Sequence, residues 1–436
     1  MRLLVRDGTL LTMVPGAAPA TGGVAIEDGR IVAIGETPGA FNETIDAAGC
    51  YVLPGLVQTH VHLVQTLFRG LAEDLPLLRW LRERVWPLEA AHDERSLRAG
   101  VRMGLLELLR TGTTTVLDMG TTHGGDVVAE ELVASGIRAR FGQAMMDAGD
   151  GVPPRLRETT RASLDAGAAL RGRWDGAGEG RIGYAYAPRF ALSCTREILE
   201  TVAQRAANEG ALVHTHSNED RDERAAIVAA TGRPPALYLD DVGLIGDRSV
   251  IAHGVHVDAD ELRVLASRGA AVTHCPSSNL KLGSGIADVV RLREAGVCVA
   301  IGADGAACNN RLDAFGEVRL AALLARSLHG ADAFTADDAL RLATRDGARA
   351  LRLENEIGTL EVGKRADLIV LDTGSLDPGG DPATRIVFGG GSRAVRDVVV
   401  EGRVLVRGGA PVHMDAAEVR ARAAEAQREL VARAGI

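Results

Sequence analysis

The sequence predicts an α/β protein: a (β/α)8 barrel joined to a small β-domain that both chain ends build together. Two observations support this prediction. Eight short apolar strands alternate with long helical stretches in the middle of the chain, and short strand-and-turn segments occur at both ends. The central strands are rich in small apolar residues, which is typical of a parallel sheet buried on both faces. A doubly wound open sheet is the alternative that the same alternation allows.

The N-terminal segment, residues 1–54, is predicted to form the first part of the β-domain. Residues 24–34 alternate apolar and polar positions around Asp28-Gly29. An Asp-Gly pair between two such runs is a strong signal of a β-hairpin with a tight turn.

The central segment, residues 55–356, is predicted to form the barrel. Its eight candidate strands end near His62, Met119, Asp147, Phe190, Glu219, His256, Pro276 and Asp304. Stretches rich in Ala, Leu, Arg and Glu lie between them and predict helices over 94–110, 195–209, 221–230, 258–268 and 286–295. In a barrel of this kind the catalytic residues lie at the C-terminal ends of the strands.

The C-terminal segment, residues 357–436, is predicted to complete the β-domain and to end in a helix. Residues 368–371 and 398–406 repeat the strand-and-turn pattern of the N-terminal segment. We expect these two β segments to pair into one composite β-sandwich. The Ala/Arg/Glu-rich run 415–434 predicts an amphipathic surface helix.

The composition argues against several classes of protein. A net charge of −9 over 436 residues, with a pI near 5.7, disfavours nucleic acid and anionic membranes as partners. No apolar run in the sequence approaches the ~18 residues of a membrane span. Five cysteines without CxxC spacing suggest neither a disulfide framework nor a thiolate zinc site. We therefore expect a cytoplasmic protein that forms a homo-oligomer and acts on a small molecule.

Histidines and an aspartate lie at the predicted strand ends. His60 and His62 alternate at the end of the first strand, so both imidazoles point to one side. Two further imidazoles, His214 and His216, share a face of the fifth strand, and either could supply a third metal ligand. His253 and Asp304 end the sixth and eighth strands. Three imidazoles and one carboxylate would form a zinc site with a position open for water.

The chain resembles the amidohydrolase superfamily, specifically its deaminase and chlorohydrolase branch. The resemblance covers almost the full length and rests on six motifs. They are P-G-L-V-Q-T-H-V-H (54–62), H-T-H-S-N-E (214–219), A-H-G (252–254), H-C-P-S-S-N-L-K-L (274–282), G-A-D-G-A-A-C-N-N (302–310) and G-T-L-E-V-G-K-R-A-D-L (358–368).

The resemblance implies a role for each strand-end residue. The metal ligands would be His60, His62, His216 and Asp304, and they would hold one Zn²⁺, with Fe²⁺ as the alternative ion. By the same resemblance Glu219 is the residue that shuttles protons, His253 is a second catalytic residue, and Asp304 also accepts the proton of water. Binuclear relatives bridge two metals with a lysine from the fourth strand. This chain has no lysine before Lys281, which favours a single metal.

The resemblance also implies which residues meet the substrate. Trp80 and Glu89 match residues that wall the pocket of adenosine-derivative deaminases, and Arg155 matches an arginine that meets the distal part of the nucleoside. Gln143 and Arg189 depart from that pattern, since relatives have an arginine and a histidine there. Arg189 and Phe190 instead resemble the guanine deaminase pocket. The complete predicted set is Trp80, Glu89, Gln143, Arg155, Arg189 and Phe190.

These residues predict a zinc-dependent hydrolytic deaminase that acts on an aminated heterocycle and water. The expected substrate is an aminopurine, foremost an adenosine derivative of the 5′-deoxyadenosine or S-adenosylhomocysteine type. A guanine-type or aminotriazine deaminase, including a chlorohydrolase, is the alternative. A metal-binding relative without catalysis is a third hypothesis. Loss of ammonia requires a proton on the leaving amine, whereas loss of chloride does not, so the presence of Glu219 favours deamination.

Overall fold

The computed structural model describes residues 2–37, 39–376 and 379–436. The strands before the barrel are β1 (Arg2–Leu10), β2 (Ala20–Glu27), β3 (Arg30–Gly35), β4 (Glu43–Asp46) and β5 (Cys50–Pro54). As the sequence predicts, β2 and β3 form a hairpin, and Asp28 and Gly29 form its turn with φ of 47° and 80°. Two positive φ angles are what a tight hairpin turn requires, and Asp-Gly adopts them at low cost.

The barrel strands follow in chain order. They are β6 (Leu56–His62), β7 (Thr113–Met119), β8 (Arg138–Gly142), β9 (Ala144–Met145), β10 (Ile182–Pro188), β11 (Leu212–Ser217), β12 (Ser249–His253), β13 (Ala271–His274), β14 (Cys298–Ile301) and β15 (Asp304–Gly305). The last strands are β16 (Leu368–Asp372), β17 (Val395–Val400), β18 (Arg403–Arg407) and β19 (Ala410–Pro411).

Sixteen α-helices occur in the described residues. Those up to β12 are α1 (Leu77–Trp80), α2 (Trp86–Ala90), α3 (Glu94–Arg110), α4 (Gly125–Ser135), α5 (Thr160–Trp174), α6 (Arg196–Glu209), α7 (Arg221–Thr231) and α8 (Pro235–Asp241). The others are α9 (Ala259–Arg268), α10 (Pro276–Lys281), α11 (Val289–Glu294), α12 (Ala314–His329), α13 (Ala336–Leu342), α14 (Arg345–Ala350), α15 (Pro382–Gly389) and α16 (Ala416–Ala434). A π-helical turn spans Leu81–Val85, and 3₁₀ turns span Leu63–Phe68, Ala191–Ser193, Thr373–Ser375 and Gly391–Ala394.

The central strands form a closed parallel ring, which confirms the predicted (β/α)8 barrel. Each strand pairs in parallel with the next from β6 to β14, with β9 beside β10, and β15 pairs back onto β6. The eighth barrel strand is therefore β14 and β15 together, interrupted at Gly302 and Ala303. A Cβ at Gly302 would lie 2.6 Å from the carbonyl oxygen of His60, so glycine alone permits this close approach.

Both chain ends join in a separate mixed sheet, as predicted. Within the described residues, nine strands follow the order β19-β18-β17-β16-β5-β1-β2-β3, with β4 beside β1. The two ends meet where β5 pairs antiparallel with β16, from Leu368 opposite Pro54 to Asp372 opposite Cys50. The domain limits at residues 54 and 356 stay a prediction.

The terminal helix α16 packs against α3 and against the segment that follows β6. Val419, Ala423, Ala426 and Leu430 are its buried residues. The side-chain amide of Gln427 donates a hydrogen bond to the carbonyl oxygen of Leu67 at 2.7 Å. Among the described residues, no helix combines the length and the apolar character that a bilayer crossing demands.

Candidate active site

The C-terminal ends of three strands bring four side chains together, two of these strands adjacent in the ring and the third across it. His60 and His62 come from β6, His216 from β11, and Asp304 from β15. One ligand atom from each of these residues lies within 4.8 Å of every other. Nε2 of His60 and Nε2 of His62 lie 3.1 and 3.4 Å from Oδ1 of Asp304, and the His62 and His216 Nε2 atoms are 3.2 Å apart. Three imidazoles and one carboxylate in a buried cluster can hold a divalent metal ion.

The other nitrogen of each imidazole fixes the orientation of its ring. Nδ1 of His62 donates to the carbonyl oxygen of Met119 at 2.7 Å, and Nδ1 of His216 donates to that of Arg189 at 2.6 Å. Because a carbonyl can only accept, both rings carry the proton on Nδ1 and present a free lone pair on Nε2. Nδ1 of His60 lies 2.8 Å from Nε2 of His214, so His214 supports the site from behind.

His62 and His216 are held in the neutral form that binds metal. Burial, together with the neighbouring His60, lowers the pKa of His62 to about 3. The same causes place the pKa of His216 well below its ordinary value. Nε2 of His60 is buried and makes no hydrogen bond of good geometry, which is costly unless a ligand engages it. The donor set therefore fits a metal cation.

Asp304 is held from several sides. Its Oδ1 accepts a hydrogen bond from the backbone N–H of Gly305 at 2.8 Å. Its Oδ2 accepts from the hydroxyl of Ser278 at 2.6 Å and lies 3.2 Å from the thiol of Cys308. Burial would raise the pKa of Asp304, but His60, His253 and His62 hold it well below its ordinary value. The carboxylate is therefore ionised, with Oδ1 toward the imidazoles and Oδ2 toward α10.

Glu219 and His253 form a second cluster that shares Asp304 with the first. Nε2 of His253 lies 3.4 Å from Oε2 of Glu219 and 4.0 Å from Oδ2 of Asp304. Burial raises the pKa of Glu219 well above its ordinary value, and Asp304 and Glu223 raise it further. Nδ1 of His253 donates to Oδ1 of Asn279 at 2.9 Å, and burial lowers its pKa to about 4. A carboxyl with a raised pKa thus lies beside an imidazole with a lowered pKa.

Arg189 and Glu89 form a buried ion pair at the same end of the barrel. The guanidinium donates to both carboxylate oxygens, at 2.6 and 3.0 Å. Burial alone would raise the pKa of Glu89, but Arg189, His62 and Gln65 hold it below its ordinary value. The Arg189 carbonyl oxygen is the one that accepts from His216, so this pair connects directly to the metal cluster.

The other predicted substrate residues lie in two settings. Trp80 and Phe190 are buried in one apolar cluster, and the indole N–H of Trp80 donates to the carbonyl oxygen of Ala72 at 3.1 Å. Gln143 is buried with its amide 3.5 Å from the carbonyl oxygen of Ser163. Arg155 is exposed and donates to the carbonyl oxygen of Ala90 at 2.9 Å. The structure thus brings Glu89 and Arg189 to the metal cluster and gives Gln143 and Arg155 partners elsewhere.

Sequence reasoning did not single out Gln65, Ser278, Asn279 or Cys308 as site residues. Three of them lie inside motifs that carry the resemblance, at 274–282 and 302–310. Gln65 lies three residues after His62, where the chain makes a 3₁₀ turn directly after the strand. Their position at a strand end was the one sequence feature that could have indicated a role in the site. Their hydrogen-bond partners could not be predicted, because most of them come from distant segments of the chain.

Comparison with known proteins agrees with this geometry. The model of the amidohydrolase family matches residues 51–405. The chain is 41% identical over 410 residues to 5-methylthioadenosine/S-adenosylhomocysteine deaminase of Halobacterium salinarum, which covers 93% of each protein. It is 38% identical over 395 residues to 5′-deoxyadenosine deaminase of Methanothermobacter thermautotrophicus, which covers 89% of this chain and 90% of the relative.

Solved structures give the same assignment. The crystal structure of an adenosine deaminase from Xanthomonas campestris with bound zinc superposes with a TM-score of 0.92 at 33% identity. The superposition covers 99% of this chain and 98% of that one. The matched family, the relatives and the ligand cluster agree on a metal-dependent hydrolase of C–N bonds. The chain therefore belongs to the amidohydrolase family.

Proposed function

We propose that this protein is a zinc-dependent hydrolytic deaminase that releases ammonia from an aminopurine, foremost an adenosine derivative such as 5′-deoxyadenosine or S-adenosylhomocysteine. The observation that carries the proposal is the buried carboxyl of Glu219 beside His253 and Asp304, next to the cluster of three imidazoles. The names of the relatives in Halobacterium salinarum and Methanothermobacter thermautotrophicus support the adenosine class.

His60, His62, His216 and Asp304 would hold one metal ion, with zinc as the proposed ion and Fe²⁺ as the alternative. Neutral imidazoles with one carboxylate are a typical ligand set of catalytic zinc. When bound, such an ion lowers the pKa of water and supplies a nucleophile at neutral pH. Elemental analysis of protein purified without added metal distinguishes the two ions.

The residues of the second cluster would move the protons of the reaction. The Asp304 carboxylate would accept a proton from the attacking water. Glu219, whose pKa burial raises well above its ordinary value, would deliver a proton to the ring nitrogen beside the carbon under attack. His253, fixed by Asn279, would orient the water and stabilise charge at the tetrahedral carbon. The proton that Asp304 took from water would then pass to the amine, the C–N bond would break, and ammonia would leave. The proton of the new hydroxyl group would return to Glu219 as the ring carbonyl forms.

A guanine-type or aminotriazine deaminase is the second candidate. The observation that favours it is the buried Arg189 beside Phe190, a pairing that suits a ring with a carbonyl oxygen. Dechlorination of a triazine belongs to the same alternative, but it does not need the acid that Glu219 provides. Trp80, Glu89, Gln143 and Arg155 complete the set of residues proposed to shape the pocket.

Replacing the proton carrier tests the proposal. Glu219→Gln keeps the shape of the side chain but cannot deliver a proton, so we expect turnover to fall by about 10²- to 10⁴-fold. The metal content should stay unchanged, because Glu219 is not among the four proposed ligands. Ammonia release would be measured with adenosine derivatives, guanine and melamine as separate substrates.

Asp222→Asn is the matched control, since Asp222 is an exposed carboxylate three residues further along the chain. Turnover of this variant should stay within about twofold of the wild type. Full turnover in the Glu219→Gln variant would contradict the assigned proton carrier. Activity on guanine alone would contradict the adenosine class, and metal binding without turnover of any ring would favour the non-catalytic relative.

We also propose a cytoplasmic location and a homo-oligomeric assembly. All five cysteines are buried and free of disulfides in the described residues, which suits a reducing compartment. Size-exclusion chromatography with light scattering tests the assembly, and fractionation of cells tests the location.

A further inference from the structure

The carboxylate of Glu89 is engaged within the protein by four donors. Arg189 donates to both oxygens, the Gln65 amide donates to Oε1 at 3.0 Å, and the hydroxyl of Thr121 lies 3.5 Å from Oε2. A carboxylate accepts about four hydrogen bonds in total. Glu89 is fully buried, so water does not compete with these donors for its oxygen atoms. This side chain has no acceptor left for a hydroxyl group of a ligand.

Gln65 presents the opposite situation. Its amide N–H donates to Glu89, but its carbonyl oxygen is buried and has no hydrogen-bond partner. A Cβ on Gly305 would lie 2.1 Å from that oxygen, so the carbonyl lies against the residue that follows Asp304. A buried acceptor without a donor is costly, and its position beside the proposed metal ligands points to a ligand N–H.

The residues expected on the sugar side of the pocket also have internal partners. The amide of Gln143 faces the carbonyl oxygen of Ser163, and the Arg155 guanidinium donates to the carbonyl oxygen of Ala90. Together with Glu89, three of the residues expected to meet a nucleoside are thus bound to protein groups. Arg189 and Gln65, the two partners of Glu89, lie next to the metal cluster.

We propose that Glu89 is a positioning residue that orients Arg189 and Gln65, and that the site recognises the aminopurine ring rather than the hydroxyl groups of a ribose. This inference rests on the proposed function and specifies its substrate class. The Arg189 guanidinium would donate to a ring nitrogen or ring carbonyl, and the Gln65 carbonyl would accept a ring or amino N–H. Aminopurines with an altered sugar, or with none, should then have kcat/KM values similar to that of adenosine.

Adenosine and 2′,3′-dideoxyadenosine test this proposal, because they differ only in the two hydroxyl groups. We expect the wild-type kcat/KM values for the two to agree within about threefold. A site that hydrogen-bonds these hydroxyls would favour adenosine by far more. Arg189→His should free the Glu89 carboxylate and raise the preference for adenosine to about tenfold or more.

Glu89→Gln separates positioning from direct binding. If Glu89 only orients Arg189 and Gln65, its loss should raise KM by about tenfold for both compounds alike. If Glu89 binds the diol, the loss falls on adenosine alone. Arg138→His is the control for Arg189→His, because Arg138 forms an equally buried bidentate pair with Asp367, away from the site. That variant should lose stability and keep the wild-type ratio of kcat/KM values.

Binding measurements keep this inference separate from the proposed function. The metal-loaded Glu219→Gln variant would be titrated calorimetrically with both compounds, which requires no turnover. Equal Kd values support recognition through the ring even if ammonia release fails. A wild-type preference of tenfold or more for adenosine, or an unchanged ratio in Arg189→His, would overturn the inference.

Discussion

Two residues of the proposed site have backbone conformations that side chains rarely adopt. His253 ends β12 with φ of 77°, and Asp304 begins β15 with φ of 62°. Such left-handed positions cost free energy and persist where the surrounding structure determines them. Here the paired strands on either side and the contacts of Asn279 and Ser278 supply that determination. The two side chains lie close together, with Nε2 of His253 4.0 Å from Oδ2 of Asp304.

Asp118 is a buried acid whose ionisation opposes folding. Burial raises its pKa to about 7, although its Oδ1 accepts the backbone N–H of Leu63 at 2.8 Å. The folded state therefore keeps a proton that the unfolded chain releases near pH 4. The contribution of Asp118 to the free energy of unfolding should be largest below about pH 4. It should fall by about 1.4 kcal/mol per unit as pH rises toward 7.

Asp118→Asn should remove this contribution while keeping an oxygen that accepts the Leu63 N–H. The measurement is the free energy of unfolding by urea at several pH values between 4.5 and 8. The wild-type curve should decline more steeply than that of the variant. Parallel curves would show that Asp118 ionises equally in both states.

At the residue scale the sequence predicted which side chains form the metal cluster but not which hydrogen bonds and ion pairs surround it. Strand alternation placed His60 and His62 on one side, and that is where they lie. Alternation could not choose between His214 and His216, because both share a face. In the structure His216 lies in the cluster, and His214 forms a hydrogen bond with His60. The buried Arg189–Glu89 pair joins residues 100 positions apart, which no local pattern encodes.

At the scale of elements, periodicity predicted helix bodies better than helix starts. The predicted helix 94–110 matches α3, which begins where Asp93 and Ser96 form a capping box. The predicted helix 286–295 begins only at Val289, because Asp288 caps the chain there. The pattern also did not predict the interruption of the eighth strand at Gly302, since it occurs where the chain closely approaches β6, its neighbour in the ring.

The terminal helix α16 contributes to the same apolar cluster as Trp80. Leu430 is fully buried in the apolar cluster that also contains Leu67 and Trp80. Leu430→Ala should lower the free energy of unfolding by about 2–5 kcal/mol, because it leaves a cavity in this cluster. Chemical denaturation measures the loss. Arg428→Ala, at an exposed position of the same helix, should change stability by less than about 0.5 kcal/mol.

If Leu430→Ala lowers the free energy of unfolding by less than about 0.5 kcal/mol, α16 is only loosely attached. In that case removal of the helix should also leave the urea midpoint of the barrel unchanged.

At the scale of the whole molecule, the proposed metal should stabilise the fold. Its ligands come from segments that lie between residues 60 and 304, and the unfolded chain does not hold them together. A ligand present at 100 times its Kd stabilises the folded state by about 2.7 kcal/mol. Chelator treatment should therefore lower the Tm, and added Zn²⁺ should restore it.

His216→Ala provides the control for this measurement, because it removes one proposed ligand from a half-buried position. The Tm of that variant should respond little to chelator. An equal response in variant and wild type would show that the stabilising ion binds elsewhere.

The short pairing of β15 with β6 couples ring closure to completion of the proposed metal site. Asp304 stands opposite Val61, between the two imidazoles of β6, only once the last barrel strand has returned to the first. A chain that ends before residue 304, or that leaves its ring open, lacks the fourth ligand. Tight retention of the proposed metal is thus an assay for completed assembly: during refolding, ion uptake should follow the slowest step of barrel formation rather than precede it.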